Sequence, residues 1–250
     1  MNAKLEEKID RIKEMSIKEL CEKFDCKPEE ICMGDYMPKY TGETVCPYKV
    51  ILGYANFEGS NVTDLGKLEV VYGRKQVEEK SIFKTRKKDA SYLGISVKYS
   101  KIQSLGRLRK VYGSIGLNSS ITTLGNLEFL GSSLYISNLN VQDLGKLEII
   151  DGILYLEDDS NRCKVMSLGK LKRVGKLCLN TSTLRELGDL EEFSAIQCGT
   201  KCNYKIGDIL KDKFKKVDGK YVRKDLIQSN ETVENQEEQV DNPQGIGAQE

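Results

Sequence analysis

Apolar positions in the middle of the chain form a phrase that returns about every twenty residues. "ITTLGNLEFLG" at 121–131 comes back as "VQDLGKLEIIDG" at 141–152 and "VMSLGKLKRVG" at 165–175. Its Leu-Gly pair starts at Leu65, Leu105, Leu124, Leu144, Leu168 and Leu187, at intervals of 40, 19, 20, 24 and 19. An apolar residue follows at three positions on (Leu68, Leu108, Leu127, Leu147, Leu171, Leu190). Another follows at six (Val71, Val111, Leu130, Ile150, Val174, Phe193). A two-residue alternation then marks a short strand: Ala55 and Phe57, Ile95 and Val97, Ile115 and Leu117, Leu134 and Ile136. The series continues with Leu154 and Leu156, Leu177 and Leu179, Ile196 and Cys198.

Alternation with period two places both apolar residues of a strand on one face. One such rung cannot bury that face, whereas stacked rungs share a core and a parallel sheet. The predicted class is therefore α+β: a parallel β solenoid of about seven rungs of ~20 residues over 50–200. Glycine in Leu-Gly, and again at Gly113, Gly131, Gly152 and Gly175 before the strands, suits sharp corners with positive φ.

The flanks read differently. Residues 1–49 predict an N-terminal helical cap over the first rung. Leu5, Ile9 and Ile12 form one stripe, Ser16 and Glu19 stand in capping-box register, and Pro28 opens a short helix "PEEIC". A helix-turn-helix is the lesser reading, because Gly34 and Pro38 stop the second helix early. The 40-residue interval holds an insertion at 74–90, read as an excursion from the coil. Residues 201–228 predict a basic C-terminal cap: a helix carrying Ile206, Ile209 and Leu210, then a hairpin turning at Asp218-Gly219. From Ser229 to Glu250 the composition predicts an acidic disordered tail.

"VGKLCLNTSTLRELGDL" (174–190) fits the rhythm L-x-x-L-x-L-x-x-(N/S/T)-x-L-x-x-L-x-x-L. Here the chain resembles the leucine-rich-repeat class, and its Leu-Gly rhythm is similar to receptor-L-domain-type solenoids. The resemblance covers roughly 50–200 and implies an architecture. It departs where an Asn ladder would sit, since Ser60, Ser100, Ser120 and Ser182 occupy that place. A curved horseshoe and a tighter β-helix-like coil both stay open. Similar arrays occur in bacterial and bacteriophage proteins, so the resemblance also implies a setting in which a lone repeat protein masks or inhibits a host factor.

Charge changes this picture little. The 250 residues carry a net charge of +1, but the segment from Ser229 holds six acidic and no basic residues, leaving a mildly basic body. No apolar run reaches the ~18 residues needed to span a bilayer, and the charged N-terminus lacks the pattern of an export signal. The expectation is a cytoplasmic protein with reduced cysteines and no membrane.

Histidine is absent, which excludes Ser-His-Asp and Cys-His catalysis and histidine metal ligands. Cys21, Cys26, Cys32 and Cys46 lack paired zinc-knuckle spacing. Cys198 takes an inward rung position in "CGTKC", away from the opposite-facing Cys178. Small buried apolar roles are preferred to zinc in both groups. No phosphate-binding glycine loop is present, and Asp158-Asp159 reads as a solvated bulge. The expectation is no enzyme, no cofactor and no metal.

The strand face opposite the core is the better place for function. Its central row reads Asn56, Ser96, Gly116, Tyr135, Tyr155, Cys178, Gln197. Two residues later come Glu58, Lys98, Asn118, Ser137, Glu157, Asn180, Gly199. Tyr135 and Tyr155 stand on adjacent rungs about 4.8 Å apart, a contact surface of the hot-spot type or an ordinary sheet stabiliser. The first functional reading is protein–protein recognition through Tyr135, Tyr155, Asn118, Glu157, Asn180 and Lys98. The second is nucleic-acid association through Arg86, Lys87, Lys88, Lys215 and Lys216. A histidine-independent enzyme is third.

Overall fold

The computed structural model describes residues 3–75, 92–117, 120–137, 140–157, 163–181 and 183–227. Its centre is a parallel β-solenoid of about seven turns. Strands β1 (Ile31–Cys32), β2 (Val50–Ile51), β3 (Ala55–Asn56) and β4 (Val70–Val71) open it. They are followed by β5 (Arg74–Lys75), β6 (Tyr92–Ser96), β7 (Lys110–Val111), β8 (Ser114–Gly116), β9 (Phe129–Leu130) and β10 (Leu134–Ser137). Three longer strands, β11 (Ile149–Glu157), β12 (Arg173–Asn180) and β13 (Glu192–Cys198), complete it.

Each turn contributes two strand segments rather than one. A first row runs β1-β2-β4-β7-β9 into the leading halves of β11, β12 and β13. A second runs β3-β6-β8-β10 into their trailing halves. The residues six places after each Leu-Gly leucine thus belong to a strand of their own. In β11 and β12 the chain stays extended through the corner, so the two segments merge. Isolated parallel bridges such as Ser104↔Thr123 and Ser167↔Glu186 tie a third side just before Leu-Gly.

All the periodic leucines point into one core, with Leu65, Leu105, Leu124, Leu144 and Leu168 fully buried. A further inward row lies three places before them: Val62, Ile102, Ile121, Val141, Val165 and Leu184.

The two glycine sets have different causes. Every Leu-Gly glycine has positive φ, from 55° at Gly188 to 63° at Gly125. In the corners before Gly188, the side chain two places earlier accepts the glycine's N–H: Asp64 to Gly66 at 2.8 Å, Ser104 to Gly106 at 3.1 Å, Thr123 to Gly125 at 3.0 Å, Asp143 to Gly145 at 2.8 Å, Ser167 to Gly169 at 3.1 Å. The glycines before the strands do not have positive φ, which corrects the corner reading. They permit close approach of neighbouring turns: a Cβ on Gly152 would stand 2.5 Å from the Ser132 carbonyl carbon, and one on Gly175 2.5 Å from Asp151 O. Ser60 and Ser100 hold the turns after their strands by donating to Phe57 O and Val97 O, and Ser120 donates to Ile102 O of the neighbouring turn.

Helices α1 (Ala3–Lys13) and α2 (Ile17–Phe24) form as expected, the second with a complete Ser16/Glu19 capping box. They form the N-terminal helical cap and lie along the flank of the first turns. Leu5, Ile9, Ile12 and Leu20 pack sideways against Val50, Leu52, Val70, Tyr72 and Tyr112, on the outward side of the first row. Tyr72 and Tyr112 stack there at 4.6 Å. Of "PEEIC", only Pro28–Glu30 is helical, as a single 3-10 turn; Ile31–Cys32 instead pairs with Val50–Ile51. Burial of Ile31 against the flanking helices outweighs its local helical setting.

At the other end, α3 (Tyr204–Lys213) is capped by Asn203 and buries Ile206 and Leu210. Strands β14 (Phe214–Val217) and β15 (Lys220–Arg223) form the expected hairpin, with Asp218 at φ 48° and Gly219 at φ 81°. β15 pairs antiparallel with β13, and Tyr221 stacks on Phe193 at 4.8 Å. The base of the 74–90 insertion is an antiparallel pair, Arg74↔Leu93 and Lys75↔Tyr92; most of the insertion and the tail from Ser229 lie outside the described residues. Among the described residues no helix is long and apolar enough to cross a membrane.

Candidate functional site

The outward face of the second strand row carries the expected tyrosine ladder. Leu134 pairs with Leu154, so Tyr135 and Tyr155 point the same way, opposite the buried leucines. Their rings stack at a centroid distance of 4.2 Å and 7° between planes. Tyr135 is 53 % exposed, and the sheet's two edges leave it uncovered by α1, α2 or the C-terminal cap. Burial, and then the hydrogen bond with Tyr135, push the Tyr155 hydroxyl up to about 12, so it is a neutral phenol at physiological pH.

The row continues on both sides of the pair. Beyond Tyr155 come Cys178 and Gln197, in register; Lys176 Nζ and Cys178 Sγ both donate to Gln197 Oε1, at 3.0 and 3.9 Å. Before Tyr135 comes Gly116, paired with Ser96. Ser96 donates to Glu58 Oε1 at 2.6 Å, and the exposed Lys98 lays its stem across Gly116. At the far end the Arg74 guanidinium lies 5.7 Å from the Tyr54 ring centre and binds Asp35 at 2.5 Å.

Of the other expected contact residues, the structure brings Glu157 and Asn180 together next to the tyrosine row. Glu157 is half-buried beside Asn180 at the end of its strand. Asn180 Oδ1 accepts the Lys201 N–H at 3.1 Å, so this oxygen is committed to holding the turn after the last rung. Asn118, Arg86, Lys87 and Lys88 lie outside the described residues. Lys215 and Lys216 are both exposed on β14, but consecutive strand residues face opposite sides, so they do not form one basic row. Lys216 Nζ stands 5.9 Å over the Tyr221 ring.

Tyr99 was missed by pattern reading and sits in the turn that follows Lys98. It is 86 % exposed and holds φ at 53°, in the left-handed region that bulky residues avoid. The register Asn56↔Ser96 aligns it with Gly59 of the preceding turn, where φ is 64°. The corner demands a left-handed residue; one turn supplies glycine and the next a tyrosine. The same alignment is available in the sequence, as "FEGS" against "VKYS".

Other candidates carry less chemistry. No group of three or more Cys, Asp or Glu side chains among the described residues could hold a metal. Cys198 pairs in register with Leu179 and so keeps the inward side of its strand, but at the last turn it is exposed, which corrects its expected burial; Cys202 is the thiol that packs against the core. Burial and the Cys198 contact push Cys202 up to about 12, away from thiolate reactivity. An open cleft of about 410 Å³ lies between the first turns of α1 and the first row, floored by Leu5, Tyr112, Phe129 and Ile149. Its carboxylates are already paired: Glu128 with Arg109, Glu148 with Lys172, Asp151 with Arg173.

No known family model matches the chain, and neither a curated protein nor a solved structure is similar to it at a significant level.

Proposed function

We propose that this protein is a non-enzymatic recognition scaffold of the leucine-rich-repeat type that binds another protein through the outward face of its second strand row. The observation that carries this reading is the solvent-facing Tyr135–Tyr155 stack. Rigid, paired rings give large contact area at little cost in side-chain entropy, the property that concentrates binding energy in tyrosines at interfaces. Tyr99 supports it independently, because a bulky residue kept in a strained turn is held against the backbone's preference. The eight free thiols are consistent with work in a reducing cytosol. Its action is occupancy: masking or tethering a partner, in the bacterial or phage setting that the repeat resembles. Nucleic-acid association is the weaker reading, since Lys215 and Lys216 diverge.

The test is affinity capture from the native host with residues 1–228 as bait, followed by titration of the captured partner. Tyr135→Ser combined with Tyr155→Ser should leave circular dichroism unchanged and weaken binding by at least ~2 kcal/mol. Undiminished binding by the double variant, or a lower melting temperature as its only effect, makes the pair a sheet stabiliser and overturns the reading.

A further inference from the structure

The glycine beside the tyrosine stack is crowded by side chains alone among its nearest neighbours, not by backbone. Four strand glycines are described: Gly94, Gly116, Gly152 and Gly175. A Cβ on Gly94 would meet Ser114 O at 2.7 Å, one on Gly152 the Ser132 carbonyl carbon at 2.5 Å, one on Gly175 Asp151 O at 2.5 Å. Backbone crowding therefore explains those three. At Gly116 a Cβ meets only side-chain atoms: Lys98 Cε and Ser96 Oγ at 3.1 Å, Lys98 Cγ at 3.4 Å. Its φ is also outside the left-handed region. Every other position of its row bears a side chain.

The consequence is a gap one rung wide. Two rung spacings, roughly 9.5 Å, separate the Ser96 and Tyr135 backbones, enough for a planar ring between their side chains. One wall is the ring face of Tyr135 turned away from Tyr155; the floor is bare backbone. The roof is the flexible Lys98 stem, which a ring can push aside. At the mouth the Lys98 ammonium pairs with no described carboxylate, and the Glu58 carboxylate is held one rung further away, where Ser96 donates to it. Tyr99, the strained exposed residue, follows Lys98 directly.

We infer that this gap is a binding slot for an aromatic side chain that stands next to a carboxylate in the partner's chain. The ring extends the Tyr155–Tyr135 stack by one member, and the carboxylate takes the Lys98 ammonium. This rests on the recognition reading above and adds to it the chemistry of the partner's anchor.

The absence of tryptophan from the protein gives a clean readout, because the fluorescence of an indole probe has no background from the protein. The probe is the peptide acetyl-Glu-Trp-Glu-amide, titrated with the full chain, with acetyl-Gly-Trp-Gly-amide as its neutral counterpart. Gly116→Val should fill the slot and weaken acidic-peptide binding at least ~10-fold, the scale of losing one anchor contact. Its melting temperature should fall only slightly, since the Lys98 stem can swing aside and the Ser96 hydroxyl need shift by no more than a few tenths of an ångström. Lys98→Ala should weaken the acidic peptide and not the neutral one. Should Gly116→Val unfold, Tyr135→Leu removes the ring wall instead and should give the same loss.

Full binding by folded Gly116→Val, or no binding of the acidic peptide by the wild-type chain, overturns the slot. Adenosine monophosphate competing more tightly than the peptide also overturns it, by reassigning the gap to a nucleobase. The two proposals fail separately. If Tyr135→Ser with Tyr155→Ser loses the probe while Gly116→Val keeps it, only the slot falls. If the double variant keeps both probe and captured partner, the tyrosine face itself is wrong.

Discussion

Tyr99 and Gly59 occupy the same corner of successive turns, and the comparison isolates the cost of one side chain. A left-handed φ costs a bulky L-residue about 1 kcal/mol or more, whereas asparagine tolerates it far better. Tyr99→Asn should therefore raise the urea midpoint, by up to about 1 kcal/mol in stability, while weakening the partner contact. A fall in stability instead would show that the ring packs within the monomer. Tyr155 carries a second consequence at this scale. Its hydroxyl ionises near 12 in the folded chain against ~10 when unfolded. The raised value contributes stability that is complete below about pH 10 and lost as pH rises through 12. Absorbance at 295 nm should show a late ionisation near 12 that Tyr155→Phe removes, together with part of the alkaline loss of stability. The ladder itself was legible, because a period of two assigns faces without knowledge of neighbours. Tyr99 was not, because a turn position carries no alternation; only aligning the turns reveals it.

Corners decide how the elements stack. Leu-Gly corners need conformational freedom, and those before the strands need room. Gly106→Ala should cost only about 1 kcal/mol, since φ is 56° but nothing lies within 4 Å of the added Cβ. Gly152→Val should cost more, by about 1–3 kcal/mol of overpacking, because the backbone atom 2.5 Å away cannot yield without separating two turns. Equal urea midpoints for the two variants would remove the distinction drawn between them. The sequence showed that both positions are corners, yet not which cause applied. Crowding by the neighbouring turn is a distance between residues about twenty apart, which no local pattern records. "PEEIC" fails for a related reason: Pro28 and the two glutamates favour a helical turn, but Ile31 is claimed by β2 and the helices that cover it. The ion pairs along the first row, such as Arg109–Glu128 at 3.0 Å, are exposed and contribute little to holding it.

A coil of repeats is most vulnerable at its ends, where the core meets water. The C-terminal cap closes one end through Phe214, which is buried and lies 5.2 Å from the Phe193 ring, and through the antiparallel seam of β13 with β15. Phe214→Ala should cost about 3–5 kcal/mol, the range for emptying a buried aromatic site. Hydrogen exchange should accelerate first in β13 and β12 and leave the turns at β4 and β7 protected, because each turn is coupled chiefly to its neighbours. Uniform acceleration would mean that the chain unfolds as a single unit. At the other end the helices lie along a flank, and this placement makes the two outward faces unequal. The first row is covered across Val50, Val70 and Tyr112, while the second stays open at Tyr135.

The repeat period, the inward rows, the capping box of α2 and the hairpin turn at Asp218-Gly219 were determined by the sequence alone. Each arises from residues a few positions apart, where backbone geometry sets which side chains share a face. Tertiary structure decided what meets those faces. The doubling of the strand in each turn, the crowded glycines, the sideways seat of α1 and the exposure of Tyr135 all depend on segments far apart in the chain. Alternation tells which way a side chain points; only the folded chain decides whether helix or solvent is waiting there.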